Sequence, residues 1–242
     1  PASLIEPDEA MHQGYRMRKG VKSVFYTAIK DKIPDDFMER NELPSGRSVV
    51  HVIDAMAFIQ KHQRFGCSTF QELQDQYLDK VIQNKPEGCL IVNFVGDRYD
   101  FAPTKSLKQE EREKREQSVS GSVKEYEPHD NLDIPDWDKI SQNRRNKAHL
   151  LDYIGSSWMK NHARLPPDLK IILGGLLKDP EKTIEITKAG FMELPDLACS
   201  EHEEADTRMF AHAAYCVQKY GCEVAVFQAT DCRCVCKCNV LL

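Results

Sequence analysis

The sequence lacks long hydrophobic runs, glycine-rich nucleotide loops and an excess of positive charge. Its longest apolar runs, CLIVNFV and IILGGLL, are far shorter than the roughly 20 residues that span a bilayer, so we expect a soluble protein without a membrane partner. No G-x-G-x-x-G or G-x-x-x-x-G-K-[ST] sequence is present, which excludes the usual dinucleotide and nucleoside triphosphate loops. The net charge of −5 argues against non-specific coating of nucleic acid but permits a local basic face.

The cysteines indicate a reducing environment. Nine are present, no secretory signal opens the chain, and we therefore expect reduced thiols in an intracellular protein, nuclear or cytoplasmic. Four of them alternate along the chain, at Cys232, Cys234, Cys236 and Cys238. This spacing differs from that of structural zinc sites, and we expect an irregular chain end there rather than a metal site.

Alternating strand and helix signals predict an α/β domain. The runs RSVVHVID, GCLIVNFVGD, LKIILGG and CEVAVFQATD are typical of buried strands. The segment TFQELQDQYLDKVIQN and residues 137–162 have the pattern of helices, and an Ala-rich helix follows the acidic stretch CSEHEEAD. Strands separated by helices predict a mostly parallel, doubly wound sheet.

The composition also suggests boundaries along the chain. We predict an N-terminal extension over residues 1–46, with a helix-like patch at KSVFYTAIKDKI, and a domain over 47–238. Between LKIILGGLL and the acidic stretch we expect a polar connection. The charged residues of about 101–135 form an insertion, a poorly packed arm or loop. Because the chain ends at NVLL soon after a predicted strand, we expect a domain truncated at its C-terminus.

Acidic residues mark the ends of three predicted strands and the start of one helix. Asp54, Asp97 and Asp231 each follow a strand, and Glu204 and Asp206 begin the helix before the last strand. The carboxyl ends of parallel strands form one edge of a sheet, so neighbouring strands would bring these acids together. Oxygen-only ligands favour Mg²⁺ or Mn²⁺, and two such ions can assist phosphodiester hydrolysis. The alternative is that each acid stops a strand and caps a helix.

Taken together, VIDAMAFIQ, VGDRYD, SLKQEEREKR, HEEADTR and the strand before DCRCV resemble the PIN-like nucleases related to flap endonucleases. They are most similar to a group of PIN-like proteins with D-R-Y, H-E-E-A-D-T-R and D-T-D-V motifs. The resemblance covers about residues 49–235. It implies a metal-dependent nuclease acting on DNA or RNA. The metal-site and catalytic acids that it implies are Asp54, Asp97, Glu204, Asp206 and Asp231, and the phosphate contacts of the arm are Lys108, Arg112 and Arg115.

One position departs from that group, since Arg233 stands where the second acid of D-T-D-V is expected. An arginine there would repel a second cation, leaving a one-metal enzyme or an inactive protein that still binds nucleic acid. A protein-interaction module on the same fold is a further alternative. A nucleic-acid backbone could also be contacted by Arg144, Arg145 and Lys147, with Trp137 and His149 nearby for stacking, but a solvated helix face is the preferred interpretation. From composition alone, the arm is likewise an exposed helix with i,i+4 charge pairs.

Overall fold

The structure is a computed structural model that describes residues 46–99, 124–198 and 205–229, together with the strands Ile5–Asp8, Gly14–Met17 and Arg233–Lys237. The chain divides into two compact units after Glu42. In the first unit, β1 (Ile5–Asp8) pairs antiparallel with β2 (Gly14–Met17). The patch KSVFYTAIKDKI lies outside the described residues.

The second unit is an α/β domain built on one seven-stranded sheet. In chain order, the elements are β3 (Val49–Asp54), α1 (Ala55–His62), α2 (Phe70–Gln83), β4 (Cys89–Val95), α3 (Trp137–Ser141), α4 (Arg144–Lys160), β5 (Lys170–Gly174), β6 (Thr183–Thr187), β7 (Gly190–Glu193), α5 (Ala205–Tyr220), β8 (Val224–Gln228) and β9 (Arg233–Lys237). The order along the sheet is β7-β6-β5-β4-β3-β8-β9. The four neighbouring strands β5, β4, β3 and β8 are parallel, and the outer pairings are antiparallel. The α/β class and the parallel centre of the sheet agree with the sequence prediction.

Apolar side chains cover both faces of the central strands. One face packs with helices α1, α2 and α4, where Phe58, Tyr77 and Trp158 are buried. The other face packs with α5 through residues that include Met209 and Ala213. Because successive strand residues point to opposite faces, the continuous apolar runs of β3 and β4 supply both cores. None of the described helices has the length and apolar composition needed to cross a bilayer.

Local side-chain chemistry explains where the predicted helices begin. The Thr69 side chain caps α2 by accepting a hydrogen bond from the N–H of Glu72, and the Glu72 carboxylate accepts one from the N–H of Thr69, which is a capping box. The single helix predicted over residues 137–162 is wrong, because α3 ends at Ser141 and α4 begins at Arg144. Between them Asn143 has an extended backbone, and its side chain accepts a hydrogen bond from the N–H of Asn146. A side-chain hydrogen bond of this kind stabilises the start of a new helix and so competes with the formation of one continuous helix.

Two strands occur where the sequence analysis expected none. Residues 183–193 form the β6–β7 hairpin instead of a polar connection, because Ile184 and Ile186 enter the core while Glu185, on the other face, pairs with Lys170. The chain end is not irregular over residues 233–237, since β9 pairs antiparallel with β8. Of the predicted insertion, residues 100–123 lie outside the described residues. The prediction of poor packing is wrong for residues 130–134, which hydrogen-bond to residues 68–71 and bury Ile134 in the core.

Candidate acidic site at the carboxyl edge of the sheet

The carboxyl ends of three parallel strands meet beside Asp54. Strand β3, which ends at Asp54, lies between β4 and β8 and pairs with both. Asp97 follows the end of β4, and Gln228 at the end of β8 pairs with Ile53. The sheet order therefore places the ends that carry the predicted acids at one edge, as the topology rule for parallel sheets requires.

Asp54 is both a helix cap and a destabilised carboxylate. Its Oδ1 atom accepts a hydrogen bond of 3.0 Å from the N–H of Ala57 and caps α1. The pKa of Asp54 is raised to about 6, chiefly by burial and also by the negative charges of Asp97 and Asp206, while the Ala57 hydrogen bond opposes the shift. Asp97 and Asp206 are therefore each close enough to repel the charge of Asp54.

Asp97 joins β4 to the start of α5. Its Oδ1 atom accepts a hydrogen bond of 2.8 Å from the N–H of Ala205, the first residue of α5, and its Oδ2 atom accepts one of 3.3 Å from the hydroxyl of Tyr99. A carboxylate at a helix N-terminus satisfies an open N–H group and interacts favourably with the helix dipole. Asp206, one residue further on, is exposed. The capping alternative thus describes part of what Asp54 and Asp97 do.

The described acids alone do not complete a metal site. Within residues 46–99, 124–198 and 205–229, no group of three or more His, Cys, Asp or Glu side chains is arranged to hold a metal ion. Glu204 and Asp231 lie outside the described residues, as do Lys108, Arg112 and Arg115. The chemistry of the described donors nevertheless fits a hard cation, because a positive ion would relieve the repulsion that contributes to the raised pKa of Asp54.

Arg233, the residue that departs from the PIN-like pattern, begins strand β9. Its backbone pairs with Gln228, and Gln228 in turn pairs with Ile53, the neighbour of Asp54. Since adjacent strands lie about 4.8 Å apart, the backbone of Arg233 is two strands from Asp54 at the same edge of the sheet. The sequence position expected to carry an acid is therefore near the acidic edge.

The sequence analysis did not identify Arg208, a buried arginine of α5 that packs close to Gly175, just after the end of β5. Arg208 is only 1% exposed, and its guanidinium donates a hydrogen bond of 2.8 Å to the carbonyl of Pro180. Gly175 has φ +75°, and a β-carbon there would come within 2.5 Å of the Arg208 guanidinium and would collide with the carbonyl of Gly96. The Gly-Gly pair after IIL, which we read only as the end of a strand, was the available signal for this close packing.

A cavity of about 780 Å³, lined by both polar and apolar residues, lies beside Asp97. Its walls are formed by α4, by residues 125–128 and by the connection between β5 and β6. Asn146 positions the wall formed by residues 125–128. Its side-chain amide donates a hydrogen bond to the carbonyl of Lys124 and accepts one from the N–H of Tyr126. The polar side chains that line the cavity are Asp97, Tyr99, Glu125, Glu127, Arg145, His149, Asp152, Tyr153, Ser156 and Lys178.

The raised pKa of Asp54 gives a testable pH dependence of stability. Between pH 3.8 and about 6, the folded state holds a proton that the unfolded chain has lost, so the free energy of unfolding falls as the pH rises through this window. We expect Asp54→Asn, which keeps a capping side chain, to raise the free energy of unfolding at pH 7 by roughly 1–3 kcal/mol.

Urea unfolding of both proteins from pH 3.5 to pH 8, in the presence of EDTA, measures this effect. The gain of the variant should be near zero at the acid end and should reach a plateau above the pKa of Asp54. An equal gain at all pH values would show that the Asp54 charge is not destabilising.

Comparison of the chain with protein-family models, with curated proteins and with solved structures finds no match.

Proposed function

We propose that this domain is a PIN-like, divalent-metal-dependent nuclease that hydrolyses phosphodiester bonds in nucleic acid inside the cell, in the nucleus or the cytoplasm. The observation that carries the proposal is the gathering of Asp97 and Asp206 near Asp54 at the carboxyl edge of parallel strands, where burial and the charges of these acids raise the pKa of Asp54. Perturbed acids gathered at such an edge are a common feature of functional sites. The order of the sequence motifs supports the PIN-like assignment.

In this proposal Mg²⁺ or Mn²⁺ would be held by the carboxylate oxygens of Asp54, Asp97 and Asp206, together with Glu204 and Asp231. The bound cations would supply an activated water and would stabilise negative charge on the phosphate oxygens. Asp54 must be ionised to bind a cation, so its raised pKa predicts that metal affinity declines as the pH falls below about 6. The arm cations Lys108, Arg112 and Arg115 would orient the phosphate backbone.

A second candidate function is a non-catalytic module on the same fold that binds nucleic acid or a protein. The observation that favours it is the position of Arg233 at the carboxyl edge of the sheet. A guanidinium near the acids would compensate part of their charge and would oppose the binding of a second cation.

A cleavage assay with the full chain tests the first proposal. Labelled single-stranded RNA, single-stranded DNA and flapped DNA are incubated with Mg²⁺, with Mn²⁺ or with EDTA, beside a binding assay on the same substrates. We expect cleavage that requires the metal and is lost in Asp54→Asn. Binding without cleavage under every metal condition would favour the second candidate. The absence of both would leave only the protein-interaction form of that candidate.

A further inference from the structure

We propose that the cavity beside Asp97 binds a nucleoside through the N–H groups of its base, with guanosine as the best match. The inference deepens the proposed nuclease function, on which it rests, by naming the part of the substrate that lies next to the acidic edge. Asp97 belongs to both places, since it lines the cavity and interacts electrostatically with Asp54. A nucleotide whose phosphate meets cations bound at the acidic edge could therefore direct its base into the cavity.

The size and the planar side chains of the cavity suit a base and its sugar. Its volume of about 780 Å³ lies within the range of roughly 300–1,000 Å³ that is typical of small-molecule sites. The aromatic residues Tyr99, His149 and Tyr153 are among those that line its walls. Aromatic faces of this kind stack with nucleobases, which contributes roughly 1–3 kcal/mol per base.

The charges of the cavity favour a neutral group that donates hydrogen bonds. Four acids line it, against the fixed positive charges of Arg145 and Lys178, and Arg145 already pairs with Glu125 at 2.7 Å. This excess of acid disfavours a phosphate inside the cavity. Carboxylates instead accept hydrogen bonds from the amino and imino groups of bases, and a carboxylate such as that of Glu127 can accept the two adjacent N–H groups of guanine.

His149 adds a group of known orientation. Its Nδ1 atom lies 2.8 Å from the carbonyl oxygen of Tyr126. A carbonyl oxygen only accepts, so Nδ1 carries the proton, and in the neutral ring Nε2 is the acceptor. His149 lines the cavity, so its neutral ring can offer Nε2 as an acceptor.

Equilibrium titration of the full chain with nucleosides in EDTA tests the inference without requiring cleavage. We expect saturable binding of guanosine with a Kd below about 1 mM, and affinities for inosine and uridine at least about threefold weaker, because inosine lacks the amino group and uridine has a single N–H donor. Ser156→Phe, which fills the cavity, should weaken guanosine binding at least about tenfold. Lys160→Phe, on the exposed end of α4 outside the cavity, is the matched control and should bind as the wild type does.

A second variant tests the cavity independently in case Ser156→Phe does not fold. Glu127 is exposed, so Glu127→Gln should fold normally and should reduce the preference for guanosine over inosine to less than about twofold. Absence of saturable guanosine binding, or unchanged binding in both cavity variants, would overturn the inference. Guanosine binding without any cleavage of nucleic acid would contradict the nuclease proposal and support the nucleoside site. Cleavage without nucleoside binding would support the nuclease proposal and contradict the nucleoside site.

Discussion

Gly175→Ala is expected to lower the free energy of unfolding by roughly 2–5 kcal/mol. The backbone of Gly175 has φ +75°, a conformation that costs a residue with a β-carbon roughly 1–2 kcal/mol. The added methyl group would also collide with the carbonyl of Gly96 and would approach the buried guanidinium of Arg208 to within 2.5 Å. Overpacking of this kind costs typically about 1–3 kcal/mol in addition.

Gly66→Ala separates these two contributions. Gly66 has φ +78°, almost the same backbone angle, but a β-carbon there would meet nothing within 4 Å. Urea unfolding of both variants and of the wild type gives the two free-energy differences. If Gly175→Ala is no more destabilising than Gly66→Ala, the close approach of β4, β5 and Arg208 is not an essential part of this edge.

The central strands were predictable because their sequence pattern follows directly from burial on both faces. Val50 and Val52 enter one core while Val49 and Ile53 enter the other, which produces the continuous apolar run that we interpreted as a parallel strand. The grouping of Asp54 and Asp97 was also predictable, because it follows from topology alone once the strands are neighbours.

The hairpin and the helix break were harder to predict because single residues decide them. TIEIT alternates as a half-buried strand does, but Glu185 reads as exposed until its pairing with Lys170 and its contact with Tyr220 are known. Asn143 lies between α3 and α4 and caps α4. The helical spacing of apolar residues continues on both sides of Asn143, so this spacing does not reveal the break.

The packing around the acidic edge and the cavity depends on contacts between residues that are far apart in the sequence. Arg208 reaches the carbonyl of Pro180, and Asn146 holds Tyr126, but neither pair has a local sequence signature. The cavity exists only where α4, residues 125–128 and the β5–β6 connection meet. Sequence patterns predict such elements one at a time, whereas the volume between them is set by tertiary packing.

Arg233→Asp is expected to tighten Mg²⁺ binding by roughly tenfold or more and to increase or create nuclease activity. The change replaces a positive charge by a carboxylate on the residue that pairs with Gln228, which in turn pairs with Ile53 at the acidic edge. An added carboxylate supplies a ligand for a second cation and removes electrostatic opposition to it. Isothermal titration with Mg²⁺ and single-turnover cleavage of a labelled strand measure the two effects separately.

The double variant Asp54→Asn with Arg233→Asp is the control for both measurements. The amide introduced by Asp54→Asn would retain the cap of α1 but would lack the charge that a cation requires, so the double variant should lose the gained affinity and all cleavage. Cleavage that survives in the double variant would identify a contaminating nuclease. If Arg233→Asp folds normally yet leaves both Mg²⁺ affinity and cleavage unchanged, Arg233 does not act at the acidic edge. The alignment of DCRCV with D-T-D-V would then be wrong, and the non-catalytic module would lose the observation that favours it.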